Sequence, residues 1–189
     1  SSSQFSQHLL HLPRGLKHLR SLQLDCKCLT EDVIVFLITH SGLQVLKGLR
    51  FRADSVTTAM SRISPAQRFP ALRVLDMHLD QKSGTLTDRH FYEFQSLCIL
   101  RTLSISSVES YVHGIQDFKQ TISALASGLP RLQELELLTS NIFDDDLLRT
   151  IGTECPLLHD LRIKDCRLNQ ADLEEGHPPL FRQLKTFDM

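Results

Sequence analysis

Apolar positions along this chain return in one phrase: an apolar residue, two others, a second apolar residue, one other, and a third. It reads Leu19/Leu22/Leu24, Leu46/Leu49/Phe51, Leu72/Leu75/Met77, Leu100/Leu103/Ile105, Leu132/Leu135/Leu137, Leu158/Leu161/Ile163 and Leu184/Phe187/Met189. Three positions before each stands a further apolar residue or cysteine: Leu16, Leu43, Phe69, Leu97, Leu129, Cys155 and Phe181. The middle residues follow one another at intervals of 26 to 32 positions. Because the second and third members are two apart, an extended strand turns both to one face and their neighbours to the other. The phrase therefore predicts seven short strands whose inward side chains are Leu22/Leu24, Leu49/Phe51, Leu75/Met77, Leu103/Ile105, Leu135/Leu137, Leu161/Ile163 and Phe187/Met189. Burying one such side chain contributes about 1.5–3 kcal/mol, too little in one unit to offset the entropy of ordering its backbone, so the units must stack.

The polar positions between strands predict helices. Thr30, Thr87 and Asp144 each precede an apolar run with helical spacing, Val33–Ile38, Phe91–Leu97 and Leu147–Ile151, and their side chains can cap the first free N–H groups. A fourth helix is predicted over Gly114–Ser127, with Ile115, Phe118, Ile122, Leu125 and Ala126 on one stripe and Gly128-Leu129-Pro130 as its stop. Phe69-Pro70, Leu129-Pro130 and Cys155-Pro156 stand at one distance before their strands, where a proline ends a helix and its missing N–H costs no ladder bond. Ala53–Arg68 and Asp80–Gly84 fit the pattern poorly, and irregular turns are expected there.

A leucine phrase recurring at this period resembles the leucine-rich repeat. The resemblance implies an α/β solenoid of about seven units over residues 1–189, a curved parallel β-sheet on the concave face and helices on the convex face. Within residues 140–168, the helix led by Asp144, then Cys155-Pro156 with Leu158, Leu161, Ile163 and Cys166, resembles the cysteine-containing class. That class is similar to the substrate-receptor half of F-box proteins. It implies a non-catalytic protein–protein interaction module, the substrate-recognition domain of an F-box-type ubiquitin ligase receptor. An F-box outside this chain would recruit the cullin-ligase adaptor. The alternative is a regulatory, ligand-sensing leucine-rich repeat domain of a multidomain receptor. Solenoids need a polar closing unit, and the last strand stops at inward Met189, so a piece of a longer protein is expected.

Composition adds exclusions. Net charge is −1 and the isoelectric point near 6.7, so no basic field argues for nucleic acid or an anionic membrane. No apolar run reaches the ~18 residues that span a bilayer. Five scattered cysteines and no Asn-x-Ser/Thr acceptor point to cytoplasm or nucleus. There is no GxSxG, HExxH, GxxxxGK[ST] or GxGxxG, so no enzyme and no cofactor are expected. Cys26 and Cys28 with His8 and His11 could suggest zinc, but structural sites space their thiolates by ~2–4 residues, and reduced thiols are expected. Asp144-Asp145-Asp146 lacks the Gly and Glu of a calcium loop and suits a helix N-terminus.

The partner is expected to be another protein, seated on the outward strand positions: Ser21/Gln23/Asp25, Gly48/Arg50/Arg52, Val74/Asp76/His78, Thr102/Ser104/Ser106, Glu134/Glu136/Leu138, Asp160/Arg162/Lys164 and Thr186/Asp188. Their charges run in blocks, which makes Arg50, Arg52, Asp76, His78, Glu134, Glu136 and Arg162 the expected contact residues. A second column, Arg20, Lys47, Arg73, Arg101, Gln133, His159 and Lys185, forms a basic ridge along one rim. It either meets an acidic or phosphorylated partner or covers the sheet edge with long side chains.

Overall fold

The computed structural model describes residues 18–24, 31–51, 58–64, 67–79, 88–107, 118–138, 143–164, 181 and 183–188. Seven strands form one sheet: β1 (Ser21–Gln23), β2 (Val45–Phe51), β3 (Val74–Leu79), β4 (Thr102–Ser107), β5 (Glu134–Leu138), β6 (Asp160–Ile163) and β7 (Thr186–Asp188). They lie side by side in chain order and every pair is parallel. Parallel neighbours need a crossover, and helices supply it. α1 (Glu31–Thr39) joins β1 to β2, α2 (Asp88–Phe94) joins β3 to β4, α3 (Phe118–Gly128) joins β4 to β5, and α4 (Asp145–Glu154) joins β5 to β6. The chain is thus an α/β protein with one all-parallel sheet.

Register places equivalent residues in rows. Leu75, Leu103, Leu135 and Leu161 are ladder partners in succession, as are Met77, Ile105, Leu137 and Ile163, and all are 0–3 % exposed. They share one core with Val33, Ile34, Leu37 and Ile38 of α1, Phe91 and Phe94 of α2, Ile122 and Leu125 of α3, and Leu147, Leu148 and Ile151 of α4. The helices therefore pack on the inward face. Exposure rises at both ends of the stack, where Leu22 is half-buried and Phe187 is 37 % exposed.

A second set of bonds repeats with each coil. The carbonyls of Arg20, Gln44, Arg73, Arg101, Gln133 and His159 each accept two N–H groups from the next coil, for instance Gln133 and Glu134 onto Arg101 at 2.7 and 3.0 Å. Just before each strand a turn closes from residue i to i+3, as in Leu72 N–H to Phe69, Leu100 to Leu97, Leu132 to Leu129 and Leu158 to Cys155. Pro70, Pro130 and Pro156 occupy the second position of such turns, where a fixed φ is favourable and no N–H is needed.

These bonds correct the phase of the second unit. Leu46, not Leu49, pairs with Leu22 and with Leu75, and Leu49 pairs with Met77 across a register shift. The turn that precedes this strand runs from His40 to Leu43, so Leu43 is the first leucine of the unit and His40 holds the earlier position. The segment Leu46-x-x-Leu49-x-Phe51 satisfies the apolar phrase, whereas the phase the fold takes, Leu43-x-x-Leu46, places Gly48 at the third position. What decides is Gly48, whose φ of +69° lets the strand absorb one extra residue before Leu49 pairs with Met77. A Cβ at Gly48 would stand 2.9 Å from the Leu24 carbonyl oxygen. The basic column consequently contains Gln44 in place of Lys47, and Lys47 lies opposite Gln23 on the outward face.

Asp144 is the N-cap of α4 and its Oδ1 accepts the Leu147 N–H at 2.8 Å. Lys119 of α3 reaches Asp146 at 2.8 Å and Asp144 at 3.8 Å, so the acidic triplet serves the helix end and the contact between helices. Phe118 and Phe143 meet edge to face at 5.3 Å beneath them. Gly128 ends α3 as expected, without a positive φ. Its role is close approach: a Cβ there would lie 2.7 Å from the Gln95 backbone. The stretch expected to be irregular contains a helical turn at 58–61 with Ala59 and Met60 fully buried. Arg68 fastens it, donating to the Ile63 carbonyl at 2.9 Å and pairing with Glu93 of α2. Thr30, Thr87, Ile115, Cys166, the pairs Cys26/Cys28 and His8/His11, and Asp80–Gly84 lie outside the described residues.

Cys155 is buried, and its thiol points at the carbonyls of Ala126 and Leu129 at 3.6 and 3.7 Å. Burial pushes its pKa up to about 12. Cys98 is exposed. Iodoacetamide on the native protein should modify Cys98 and spare Cys155, read by peptide mass spectrometry. A raised thiol pKa contributes stability that is complete below the unfolded value, about 8.5, and disappears as pH rises through the folded one. The unfolding free energy should therefore fall by up to about 1.4 kcal/mol per pH unit above that lower value, and Cys155→Ala should flatten this slope. Gly48→Ala should cost about 1–2 kcal/mol from the left-handed backbone alone. Gly128→Ala should cost about 1–3 kcal/mol by overpacking against Gln95, both measured from urea midpoints.

Candidate functional site

None of the described outward side chains on the sheet is buried. They form rows set by the ladder. The first is Ser21, Val45, Val74, Thr102, Glu134, Asp160 and Thr186; the second contains Asp76, Ser104, Glu136, Arg162 and Asp188; the third contains His78, Ser106 and Leu138. Of the expected contact residues, Asp76, His78, Glu134, Glu136 and Arg162 stand on this face, and Arg50 falls opposite His78 by register. Arg52 lies outside the described residues.

The structure brings three of these together over β4, β5 and β6 and adds others. A shallow open depression is lined by Thr102, Ser104, Glu134, Glu136, Asp160 and Arg162. Glu134 and Asp160 are direct ladder partners, a like-charge pair across adjacent strands. Thr102 donates to Glu134 from one side at 3.1 Å, and His159 bonds Asp160 at 2.8 Å from the other. Glu136 and Arg162 are partners in the next row, with the guanidinium 3.9 Å from the carboxylate and more than half exposed. The expected blocks of like charge thus touch, and one basic residue partly neutralises the acidic group beside it. His78 is engaged differently, by a hydrogen bond to Ser106 on the neighbouring strand.

The Asp160 carboxyl is held below its ordinary value of 3.8, first by a hydroxyl bond from Thr186 and then by His159. It stays ionised beside Glu134. Glu134, His159 and Asp160 have side-chain donor atoms within 4.8 Å of one another, which is the only potential metal-ligand group among the described residues. Asp160 and His159 entered the sequence reading as members of two columns and not as contact residues. The signal that joins Asp160 to Glu134 lies in the spacing, since each stands two positions after the first leucine of its unit, Leu132 and Leu158.

The basic rim departs from the sequence reading at one place, where Gln44 stands for Lys47. Arg20, Arg73, Arg101 and Lys185 are exposed in this column, and Gln133 and His159 interrupt it as the sequence has them. Arg73 and Arg101 are the adjacent pair and stand beside the first row. No helix among the described residues is long and apolar enough to cross a membrane. No protein-family model matches this chain, and no curated protein matches it.

A depressed carboxyl contributes stability above the unfolded value, about 3.9, and that contribution disappears as pH falls through the lower folded value. Asp160→Asn should therefore lose less thermal stability than the parent when the pH is lowered from about 6 to about 3. An identical loss in both proteins would show that the Thr186 and His159 bonds do not favour the ionised carboxyl.

Proposed function

We propose that this chain is a non-catalytic protein-interaction module of the leucine-rich repeat type that binds its partner on the open face of the sheet. The observation that carries the reading is the ladder itself. Seven parallel strands in chain order put the repeating leucines inward and leave rows of polar side chains outward, uncovered by any described helix. A broad polar face on a rigid parallel sheet suits an extended protein surface better than a small molecule, which needs an enclosed, mostly apolar pocket. The depression over β4–β6 is open and polar.

The likeness of Cys155-Pro156 and its leucines to the cysteine-containing repeats supports a finer reading, a substrate receptor of an F-box-type ubiquitin ligase. The buried Cys155, bonded to carbonyls of the preceding coil, suits a structural repeat position. On this reading the partner is a substrate protein, and the cullin-ligase adaptor binds elsewhere in the full-length protein. The compartment is cytoplasm or nucleus.

A photoreactive amino acid at Ser104 on the open face, and separately at Lys119 on the helical side, should separate the two surfaces. In native extract, a defined crosslinked partner from Ser104 and none from Lys119 is the expected result. Crosslinking from Lys119 alone would place recognition on the helices and retire the reading.

A further inference from the structure

Resting on the reading of the open face as the binding surface, we propose that its β1–β4 end seats an acidic protein segment carrying an aliphatic side chain, with Arg73 and Arg101 on the carboxylates and Val45 and Val74 under the aliphatic group. The first support is unanswered charge. Arg20, Lys47, Arg73 and Arg101 are exposed, and none forms an ion pair with a described residue. Elsewhere Arg68, Lys119 and Arg162 each face a carboxylate. Asp76 is the one acidic side chain among the described outward residues of β1–β4, whereas Glu134, Glu136, Asp160 and Asp188 gather on β5–β7. An acidic segment is therefore drawn to the first end and repelled from the second.

The fold does not ask for arginine in this column. What joins each coil to the next is the backbone carbonyl, and Gln44, Gln133 and His159 supply it as well as Arg73 and Arg101 do. The exposure of both arginines also speaks against side chains that merely cover the sheet edge. The second support is apolar and independent of charge. Val45 and Val74 are ladder partners in the first outward row, where every other member is polar. Neither valine belongs to the core or packs on it, and both are half-buried, so their methyl groups stay partly in water until a partner covers them. Arg73 directly precedes Val74, and the Arg101 N–H donates to the Arg73 carbonyl at 2.7 Å, so the two arginines begin adjacent coils one strand spacing, about 4.8 Å, apart. Carboxylates of one short segment can meet both while a neighbouring side chain lies on the valines.

The probes are fluorescent peptides of alternating aspartate and valine, aspartate and serine, and lysine and valine, followed by anisotropy at low and physiological salt. The aspartate–valine peptide should bind with one-to-one stoichiometry and weaken with salt, the aspartate–serine peptide should bind about threefold more weakly, and the lysine–valine peptide should not bind. Arg73→Gln and Arg101→Gln should each weaken both acidic peptides about threefold. Val74→Ser should weaken the aspartate–valine peptide alone and so abolish the preference for valine. Arg149→Gln on α4, the same change in net charge, should leave all of this unchanged. The Arg73 and Arg101 variants should keep the parent's thermal midpoint, since the carbonyls that join the coils remain.

Equal weakening by Arg149→Gln would reduce the effect to net charge and overturn the proposal. So would equal affinity for the two acidic peptides, or stronger binding of an oligothymidylate strand than of either, the mark of a nucleic-acid surface. Absence of aspartate–valine binding while the Ser104 crosslink persists would retire the acidic segment and leave the open face as the binding surface. Loss of both would retire the two together.

Discussion

One carbonyl per coil, accepting two N–H groups from the next, sets every other spacing in this protein. Arg20, Gln44, Arg73, Arg101, Gln133 and His159 supply it in turn, and each strand pair begins immediately beyond. A parallel ladder started at this point has no freedom of register. A slip of one residue would turn each inward leucine to solvent and each carboxylate into the core. The inward residues of the middle strands are 0–3 % exposed, so such a slip would forfeit the whole gain from burial. Gly48 is the place where this constraint met one surplus residue, and only a left-handed backbone resolved it.

The constraint separates two populations of acidic residues that composition counts as one. On the helical side, Asp144 caps α4, Asp146 meets Lys119, and Glu93 holds Arg68. Each has an opposite charge or a backbone N–H in front of it, and each joins neighbouring segments. On the open face, the ladder sets Glu134 opposite Asp160 with hydroxyls and an imidazole for company. The first population explains how the coils hold together. The second stands where rigid strands hold like charges side by side.

Much of this was legible in the residues. Inward positions of five units, the positions of the helices and the Asp144 cap follow from spacing and side-chain chemistry, because burial and capping act over a few residues. The second unit was not legible, since Leu46, Leu49 and Phe51 fit the phrase while the phase the fold takes has Gly48 at its third position and His40 three before its first. Gly48 inside a strand was the available hint. Gly128 was read in part: it is the last residue of α3, as its place in the sequence suggested. A glycine at a helix end looks like a stop signal, and its role as a point of contact depends on Gln95 of a different coil.

By itself, the order of apolar and polar residues determined the repeat, the inward leucines and the absence of familiar catalytic motifs, since each depends on local period and residue type. Tertiary structure decided the contacts that the outward residues make. Glu134 meets Asp160, and Glu136 meets Arg162, only because two segments 26 positions apart are laid in one register. Charges interact through space and not along the chain, so their pairing waits on the ladder.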